Sequence, residues 1–311
     1  VNRATSGLSG AHTHTHTQLS MTRVKIGPVV LPLGIANALF AIGTVTGQVG
    51  QYVGLPIFLD TLVGTGPYFV VWLASFSFVL IFGSWSVLLY FLAPGSIGRI
   101  EREFKHKDLM LVGMFNAFNG LMLVFASPGS RTPPYLQAVL GNFLIPLTMG
   151  FRRVVLGKRA SRKQMLCAAL VLSGLFLSLV PTIFRLDDRP TKSAVTGAAR
   201  ILWPLCFMFS FTPAAMLYVY QEKSLQGVES EKVERPVNII WWLFFTSLYQ
   251  LMTITLFFWV DLLPGFGTSP SIGKFWDNFV NGFDCFLGLN SGSHLAFGRG
   301  LAFILLYVLA Y

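Results

Sequence analysis

Nine uncharged polar residues lie inside long apolar stretches of this sequence. The amides are Asn37, Asn116, Asn119, Gln137, Asn142 and Gln250, and the hydroxyls are Thr148, Ser210 and Thr212. An unpaired amide in hydrocarbon costs several kcal/mol, so each group needs a hydrogen-bond partner. For any one residue that partner is slightly more often a neighbouring helix, in a bond worth about 0.6–2 kcal/mol. For the whole set we favour a polar cavity, and we predict that all of them except Thr212 bind a small-molecule substrate.

Ionisable residues are confined to the ends of the apolar stretches and the connections between them. All 13 Asp and Glu residues follow this rule. Acid–base, nucleophilic or metal chemistry within a membrane would need such groups at depth. Cys167, Cys206 and Cys285 are too few for a zinc site built on cysteines. We therefore expect no catalytic residue, no metal and no cofactor. An enzyme acting on lipid would have only Asp261 or His294, at span ends, to work with.

The composition indicates an integral membrane protein. The 311 residues are 53% hydrophobic and 12% charged, with a mean hydropathy of +0.62. A soluble domain has about 25% charged residues. The net charge of +10 could indicate a nucleic-acid partner. However, the basic residues do not alternate with aromatic ones, so we expect a lipid bilayer and no nucleic acid as the partner.

Eight apolar stretches have about the 20 residues that a helix needs to cross a bilayer. They are Gly27–Val49, Tyr68–Leu92, Leu109–Ala126, Tyr135–Phe151, Met165–Ile183, Ile201–Tyr220, Val237–Val260 and Leu295–Tyr311. The predicted fold class is therefore all-α, a polytopic membrane helix bundle. We expect residues 26–311 to form the membrane domain, truncated at its C-terminal end, and residues 1–25 to be a disordered cytoplasmic tail.

The basic residues alternate from one connection to the next. With a cytoplasmic N-terminus, the connections on that side hold more than twice as many of the 23 Lys and Arg residues as the other side. The most basic connection, Arg152–Lys163, contains no acid. This bias predicts that the N-terminus is cytoplasmic. The long loop 265–294 then lies on the non-cytoplasmic side, and its many aromatic residues predict a folded or interfacial cap.

Prolines accompany several of the polar residues. Pro146 follows Asn142 by four positions, and Pro204 and Pro213 flank Ser210. A proline removes a backbone hydrogen bond and bends its helix. Bent helices beside polar side chains are typical of the midplane of alternating-access transporters.

Several of these motifs resemble the chloroquine-resistance-transporter-like family of the drug/metabolite transporter superfamily. In the fourth stretch, Gln137 and Asn142 lie nine and four residues before Pro146, and Thr148-Met149 and a basic connection follow. The other motifs are WDNFVNGFDC at Trp276–Cys285, YQEK at Tyr220–Lys223 and NALFA at Asn37–Ala41.

The resemblance implies ten helices in two inverted repeats of five around a central cavity, of which about eight are present here. It implies a secondary transporter that exports amino acids, small or thiol peptides, or cationic drug-like molecules by alternating access. The expected location is a vacuole-like or lysosome-like membrane or a plastid envelope. Proton coupling is usual in the family, and Asn37, Gln137 and Asn142 fall where the family lines its cavity.

The sequence departs from the family at two points. The family often has an acid where this chain has Asn116, and an amide cannot change its charge with pH. The family's long loop usually has further cysteines, whereas this one has only Cys285, so no disulfide is expected there. The alternative hypothesis is a multi-span receptor or scaffold without transport activity, which would place the N-terminus outside the cytoplasm.

Overall fold

A computed structural model of the chain provides the coordinates. It describes residues 23–26, 29–61, 65–93, 95–183, 197–230, 237–289 and 301–302. The chain divides into two compact units: one contains the residues up to Val53, and the other is Gly54–Leu305. In the first unit, strands β1 (Arg23–Ile26) and β2 (Val29–Pro32) pair in antiparallel register. Most of the predicted tail and nearly all of the predicted eighth span lie outside the described residues.

The first predicted span differs from the sequence-based expectation at its start. Residues 29–32 form strand β2, and helix α1 runs over Leu33–Thr61, well past the predicted end at Val49. Val29 and Val30 are β-branched, and Pro32 disfavours helical backbone at the residue before it, so the segment stays extended. Within α1, the apolar part is Gly34–Gly47, which is shorter than a full span.

The second unit is built from helices. After α2 (Pro67–Leu92) come the short α3 (Arg99–Glu103), α4 (His106–Ala126), α5 (Pro134–Leu140), α6 (Leu144–Leu156), α7 (Arg162–Ile183), α8 (Ala199–Ser230), α9 (Ile239–Leu256) and α10 (Ile272–Phe286). Six helical segments in the described residues are long and apolar enough to cross a bilayer. The prediction of an all-α polytopic membrane bundle is thus confirmed, and six of the eight predicted spans correspond to these segments.

The bundle is organised around α4, α8 and α9. Helix α4 packs on α8 and on α9, and α9 also packs on α2. In the most apolar stretch of α8, 50% of the residues are buried inside the bundle, whereas in the segment that contains α5 and α6 only 11% are buried. Gly113 lets α4 approach α9 closely, because a Cβ there would lie only 2.6 Å from the carbonyl oxygen of Thr246. Small residues at such contacts are how membrane helices gain packing energy without a hydrophobic driving force.

A buried carboxylate ties one end of the bundle together. Glu101 is fully buried, and its Oε2 and Oε1 accept hydrogen bonds from the backbone N–H groups of Gly98 (2.7 Å) and Asn238 (3.1 Å). Asn238 in turn caps α9, since its Oδ1 accepts from the N–H groups of Ile240 and Trp241. These bonds satisfy amides that a helix start leaves unpaired, and they fix α9 relative to α3.

The fourth span is irregular near its middle. A 3-10 turn at Gly141–Phe143 separates α5 from α6. Pro146 has no N–H to donate to the carbonyl of Asn142 four residues earlier, so regular α-helical bonding is interrupted at that point. The sequence predicted a bend at Pro146, and the structure places the irregular turn just before that residue, at Gly141–Phe143.

Candidate functional site

Three polar side chains form a continuous set of hydrogen bonds across the bundle. The Nδ2 of Asn116 in α4 donates to the Oε1 of Gln250 in α9 at 2.7 Å. The Nε2 of Gln250 donates to the Oγ of Ser75 in α2 at 3.0 Å. Ser75 then donates to the carbonyl of Val71 in its own helix. We call Asn116, Gln250 and Ser75 the polar bridge.

The polar bridge lies among apolar side chains. Ser75 is 1% exposed and Gln250 is 7% exposed. Each bond between helices in such a setting contributes about 0.6 kcal/mol on average and up to about 1.7 kcal/mol. Two predicted site residues, Asn116 and Gln250, are therefore in direct contact. Each of these residues satisfies part of its hydrogen-bonding capacity with the other.

Asn119 lies one helical turn after Asn116 on α4, so both project from a similar face. Its Oδ1 is buried and has no hydrogen-bond partner within the described structure. Leaving a buried acceptor unsatisfied costs about 1–3 kcal/mol, and native proteins keep few such groups. A water molecule or a solute N–H group would satisfy it. Within the described structure, this oxygen is therefore available to accept a further hydrogen bond.

Gln137 has a different environment from the polar bridge. It is 6% exposed, and its Nε2 donates to the carbonyls of Ser127 (2.6 Å) and Thr132 (2.7 Å). Both carbonyls belong to the connection between α4 and α5. The side chain therefore holds that connection in place, with both amide protons used.

The other predicted site residues bond within their own helices. Asn142 is exposed and donates to the carbonyls of Ala138 and Val139. Thr148 donates to the carbonyl of Leu144, and the fully buried Ser210 donates to the carbonyl of Phe207. Such bonds satisfy a hydroxyl in an apolar helix without a neighbour.

Asn37 lies in α1, in the first unit, and its side chain is exposed. The structure thus brings together Asn116 and Gln250, places Asn119 one turn away and gives Gln137, Asn142, Thr148 and Ser210 local partners. It adds Ser75, which the sequence analysis did not single out. A serine in an apolar helix usually bonds to its own backbone, so its type carries no signal for a second role as acceptor.

A second polar cluster surrounds Asp261, which lies in a short 3-10 helix, Phe258–Leu262, just after the C-terminal end of α9. This carboxylate is 1% exposed, and its Oδ1 accepts from the N–H and the Oγ1 of Thr268. Its Oδ2 accepts from the Oγ of Ser269 at 2.5 Å, and Asn278 of α10 donates to that same Oγ. Because all these donors belong to the segment that follows α9, Asp261 organises the start of the long loop. Among the described residues, no group of three or more His, Cys, Asp or Glu could hold a metal.

Arg131 lies in the connection between α4 and α5. It donates to the carbonyl of Phe125 at 2.6 Å, and its guanidinium stacks 3.9 Å from the ring of Trp203. Burial lowers the pKa of Arg131 from its ordinary value, and the negative charge of Asp261 opposes that shift. The cation–π contact and the carboxylate together stabilise a partly buried charge.

The segment predicted as a folded cap contains helix α10, which packs on α2 through aromatic rings. Phe283 packs edge-on against Phe69 at 5.1 Å between ring centroids, and Phe279 does so at 5.5 Å. A Cβ on Gly282 would lie 2.5 Å from the same Phe69 ring, so only glycine allows this contact. The motif Trp276–Cys285 thus supplies the docking face of α10, with ring pairs worth about 0.5–1.5 kcal/mol each beyond burial.

Comparison with known proteins identifies the class to which this bundle belongs. A family model described as CRT-like, chloroquine-resistance transporter-like, matches residues 41–296. The chain therefore belongs to the chloroquine-resistance transporter-like family, as the motifs of the fourth span and of α10 predicted.

Three relatives from Dictyostelium discoideum illustrate the distance within the family. Crt homolog 1 is 26% identical over 229 residues, which are 72% of this chain and 44% of that protein. Crt homolog 2 is 27% identical over 192 residues, 61% of this chain and 36% of that protein. Crt homolog 3 is 26% identical over 161 residues, 51% of this chain and 30% of that protein. The matched part of the chain thus spans less than half of the length of each relative.

Proposed function

We propose that this chain is part of a secondary transporter that exports small solutes from an intracellular compartment by alternating access, and that it is not an enzyme. The observation that carries the proposal is the match of residues 41–296 to the chloroquine-resistance transporter-like family. The six candidate spans and the buried amides are consistent with such a role. Transport needs a site for the solute within the bilayer, and the polar bridge lies within the candidate spans.

The proposed solute site is the region of Asn116, Asn119 and Gln250. Amides offer both donors and acceptors, so they suit amino acids, small or thiol peptides and cationic drug-like molecules that carry carbonyl or N–H groups. The unpaired Oδ1 of Asn119 would accept from such a solute. Asn37, Gln137, Asn142, Thr148 and Ser210 remain proposed members of the site, on the strength of the sequence pattern and, for Asn37, Gln137 and Asn142, of the family resemblance.

Alternating access requires helices that change their packing around the site. The polar bridge contributes two side-chain bonds between α2, α4 and α9, and a solute could replace each of them with a bond of its own. The 3-10 turn at Gly141–Phe143 and the prolines within α8 provide points where helices bend. We therefore propose that solute binding exchanges contacts within the bridge and shifts the bundle between its two states.

The proposed orientation has the N-terminus in the cytoplasm and the cap around α10 on the luminal side of a vacuole-like, lysosome-like or plastid membrane. The distribution of Lys and Arg residues supports this orientation. If a proton accompanies the solute, it is carried by a group other than Asn116, because an amide does not titrate.

The test is transport by the intact protein reconstituted in liposomes. Uptake of labelled amino acids, glutathione and a cationic quinoline is measured with and without a proton gradient. Saturable uptake is expected for at least one solute, with at least about a tenfold loss in Gln250→Met. Thr253→Val is the matched control, since Thr253 is one turn away and its Oγ1 donates to the carbonyl of Tyr249 in its own helix. Non-saturable uptake, or equal rates in Gln250→Met and the wild type, would refute the proposed site.

A further inference from the structure

A groove with a basic end runs between α6 and α7. Its volume is about 1020 Å³, and it is open to the surroundings along one side. Away from the basic end most of the wall is apolar, formed by Ile145 and Met149 from α6 and by Ala168 and Val171 from α7, with Thr148 as a polar member. Ile145 is 55% exposed, so a large part of this wall is uncovered within the described bundle.

The shallow end of the groove is lined by four cations: Arg152, Lys158, Arg159 and Lys163. No acid is among the residues that line it. Glu222 of α8 pairs with two of the four cations, at 2.9 Å from Arg152 and 2.8 Å from Lys158. Arg159 and Lys163 make no ion pair within the described part of the chain. The end of the groove therefore keeps a net positive charge.

The positions along the helices define the length of the groove. Leu144 and Arg152 are eight residues apart on α6, which corresponds to about 12 Å along the axis. This is less than half of the roughly 30 Å hydrocarbon thickness of a bilayer. The cations lie where α6 ends and α7 begins, at the surface that the distribution of basic residues predicts to be cytoplasmic. The groove thus extends from the headgroup level into one leaflet.

We propose that this groove binds one anionic phospholipid of the cytoplasmic leaflet, with its phosphate between Arg159 and Lys163 and an acyl chain along Ile145 and Val171. A guanidinium and an ammonium are the partners that a phosphate prefers, and the guanidinium binds it in two-point geometry. Basic pockets between membrane helices are the usual sites for anionic headgroups. The apolar wall favours a lipid over a free anion, because a free anion leaves that wall without a partner.

Recognition in this site comes from side chains rather than from the helix end. The N–H of Ser161 donates to the Oε1 of Gln164, and the N–H of Gln164 donates to the Oγ of Ser161. This reciprocal pair occupies two of the amides at the start of α7, those of Ser161 and Gln164. The affinity of the groove for phosphate is therefore expected to depend on Arg159 and Lys163, and to fall as salt screens the charges.

The experiment measures lipid retained by the intact protein. Protein purified in neutral detergent is titrated with dioleoyl phosphatidylglycerol or dioleoyl phosphatidylcholine, and bound lipid is counted by native mass spectrometry. The wild type is expected to prefer phosphatidylglycerol by roughly tenfold or more. The double variant Arg159→Gln/Lys163→Gln should lose about 10- to 30-fold in affinity. Ile145→Trp, which fills the groove and keeps the cations, should lose affinity as well.

The matched control is Arg153→Gln, because Arg153 is exposed in the same basic segment and does not line the groove. It should change affinity by less than about twofold. Equal binding of the two lipids by the wild type would overturn the proposal. This result is expected if another segment of the protein fills the groove. A loss of affinity in Arg153→Gln as large as that in the double variant would attribute the binding to general surface charge and would also overturn the proposal. Displacement by millimolar inorganic phosphate, with no effect of Ile145→Trp, would leave a simple anion site and also overturn it.

Discussion

Two substitutions at the polar site should change stability in opposite directions while both impair transport. Asn119→Leu removes a buried acceptor that has no partner in the described structure. Gln250→Met removes both interhelical bonds of the polar bridge and keeps the volume of the side chain nearly constant. A buried polar atom without a partner is unfavourable for folding, whereas a paired one is favourable. The melting temperatures therefore distinguish the two environments, and transport tests both residues as members of the site.

The magnitudes follow from the contacts. Removing a buried oxygen that has no partner in the protein relieves at most about 1–3 kcal/mol, so Asn119→Leu should raise the melting temperature. Gln250→Met loses two bonds worth about 0.6–1.7 kcal/mol each, a total of about 1–3 kcal/mol, and should lower it. In liposomes, both variants should transport at least about tenfold more slowly than the wild type.

The assay is a thermal melt of detergent-purified protein followed by intrinsic fluorescence, with transport measured on the same preparations. Because such unfolding is often irreversible, variants are compared at one scan rate. Thr253→Val serves as the control for both measurements, with the melting temperature and the transport rate expected near those of the wild type. If Asn119→Leu lowers the melting temperature, or raises it without any loss of transport, the assignment of Asn119 to the solute site is refuted.

Three further predictions concern the packing around the site. Gly282→Ala should destabilise the protein by about 1–3 kcal/mol, because the new Cβ overlaps Phe69. The control Gly273→Ala has open space around the new Cβ and should be neutral or stabilising. Thermal melts of the two variants test this. Asp261→Asn should loosen the segment that follows α9, since it loses charge-assisted bonds, and limited proteolysis between residues 263 and 289 should become faster; unchanged cleavage would contradict this role. Glu222→Gln should change the melting temperature very little and less still in high salt, because its partners are about half exposed.

Hydropathy predicts the architecture because the bilayer imposes a strict length on each apolar helix. Tyr68–Leu92 and Leu109–Ala126, for example, correspond within a few residues to α2 and α4. The start of the first span is less predictable, since hydropathy alone does not distinguish the apolar strand Val29–Pro32 from the start of an apolar helix. There, β-branched residues and proline favour extended backbone over helix.

The partners of individual polar residues could not be predicted from the sequence. Asn116 and Gln250 are 134 positions apart, and their contact depends on how α4 and α9 are rotated against each other at Gly113. Gln137 fits the family pattern well, and the structure gives it two carbonyls of a nearby connection as partners. Residue type shows that an amide in lipid needs a partner, whereas only packing decides which partner it finds.

The direction of the bonds in the polar bridge couples three helices. Each donor points the same way, from Asn116 to Gln250 to Ser75 to the carbonyl of Val71. If the amide of Gln250 turned over, its NH₂ would face the NH₂ of Asn116 and its oxygen would face the hydroxyl of Ser75. Asn116 and Ser75 would then have to reverse as well for both bonds between the helices to be kept. We expect a ligand that binds one of the two amides to reverse the direction of the bond at Ser75 in α2, which is 175 positions from Gln250 in the sequence.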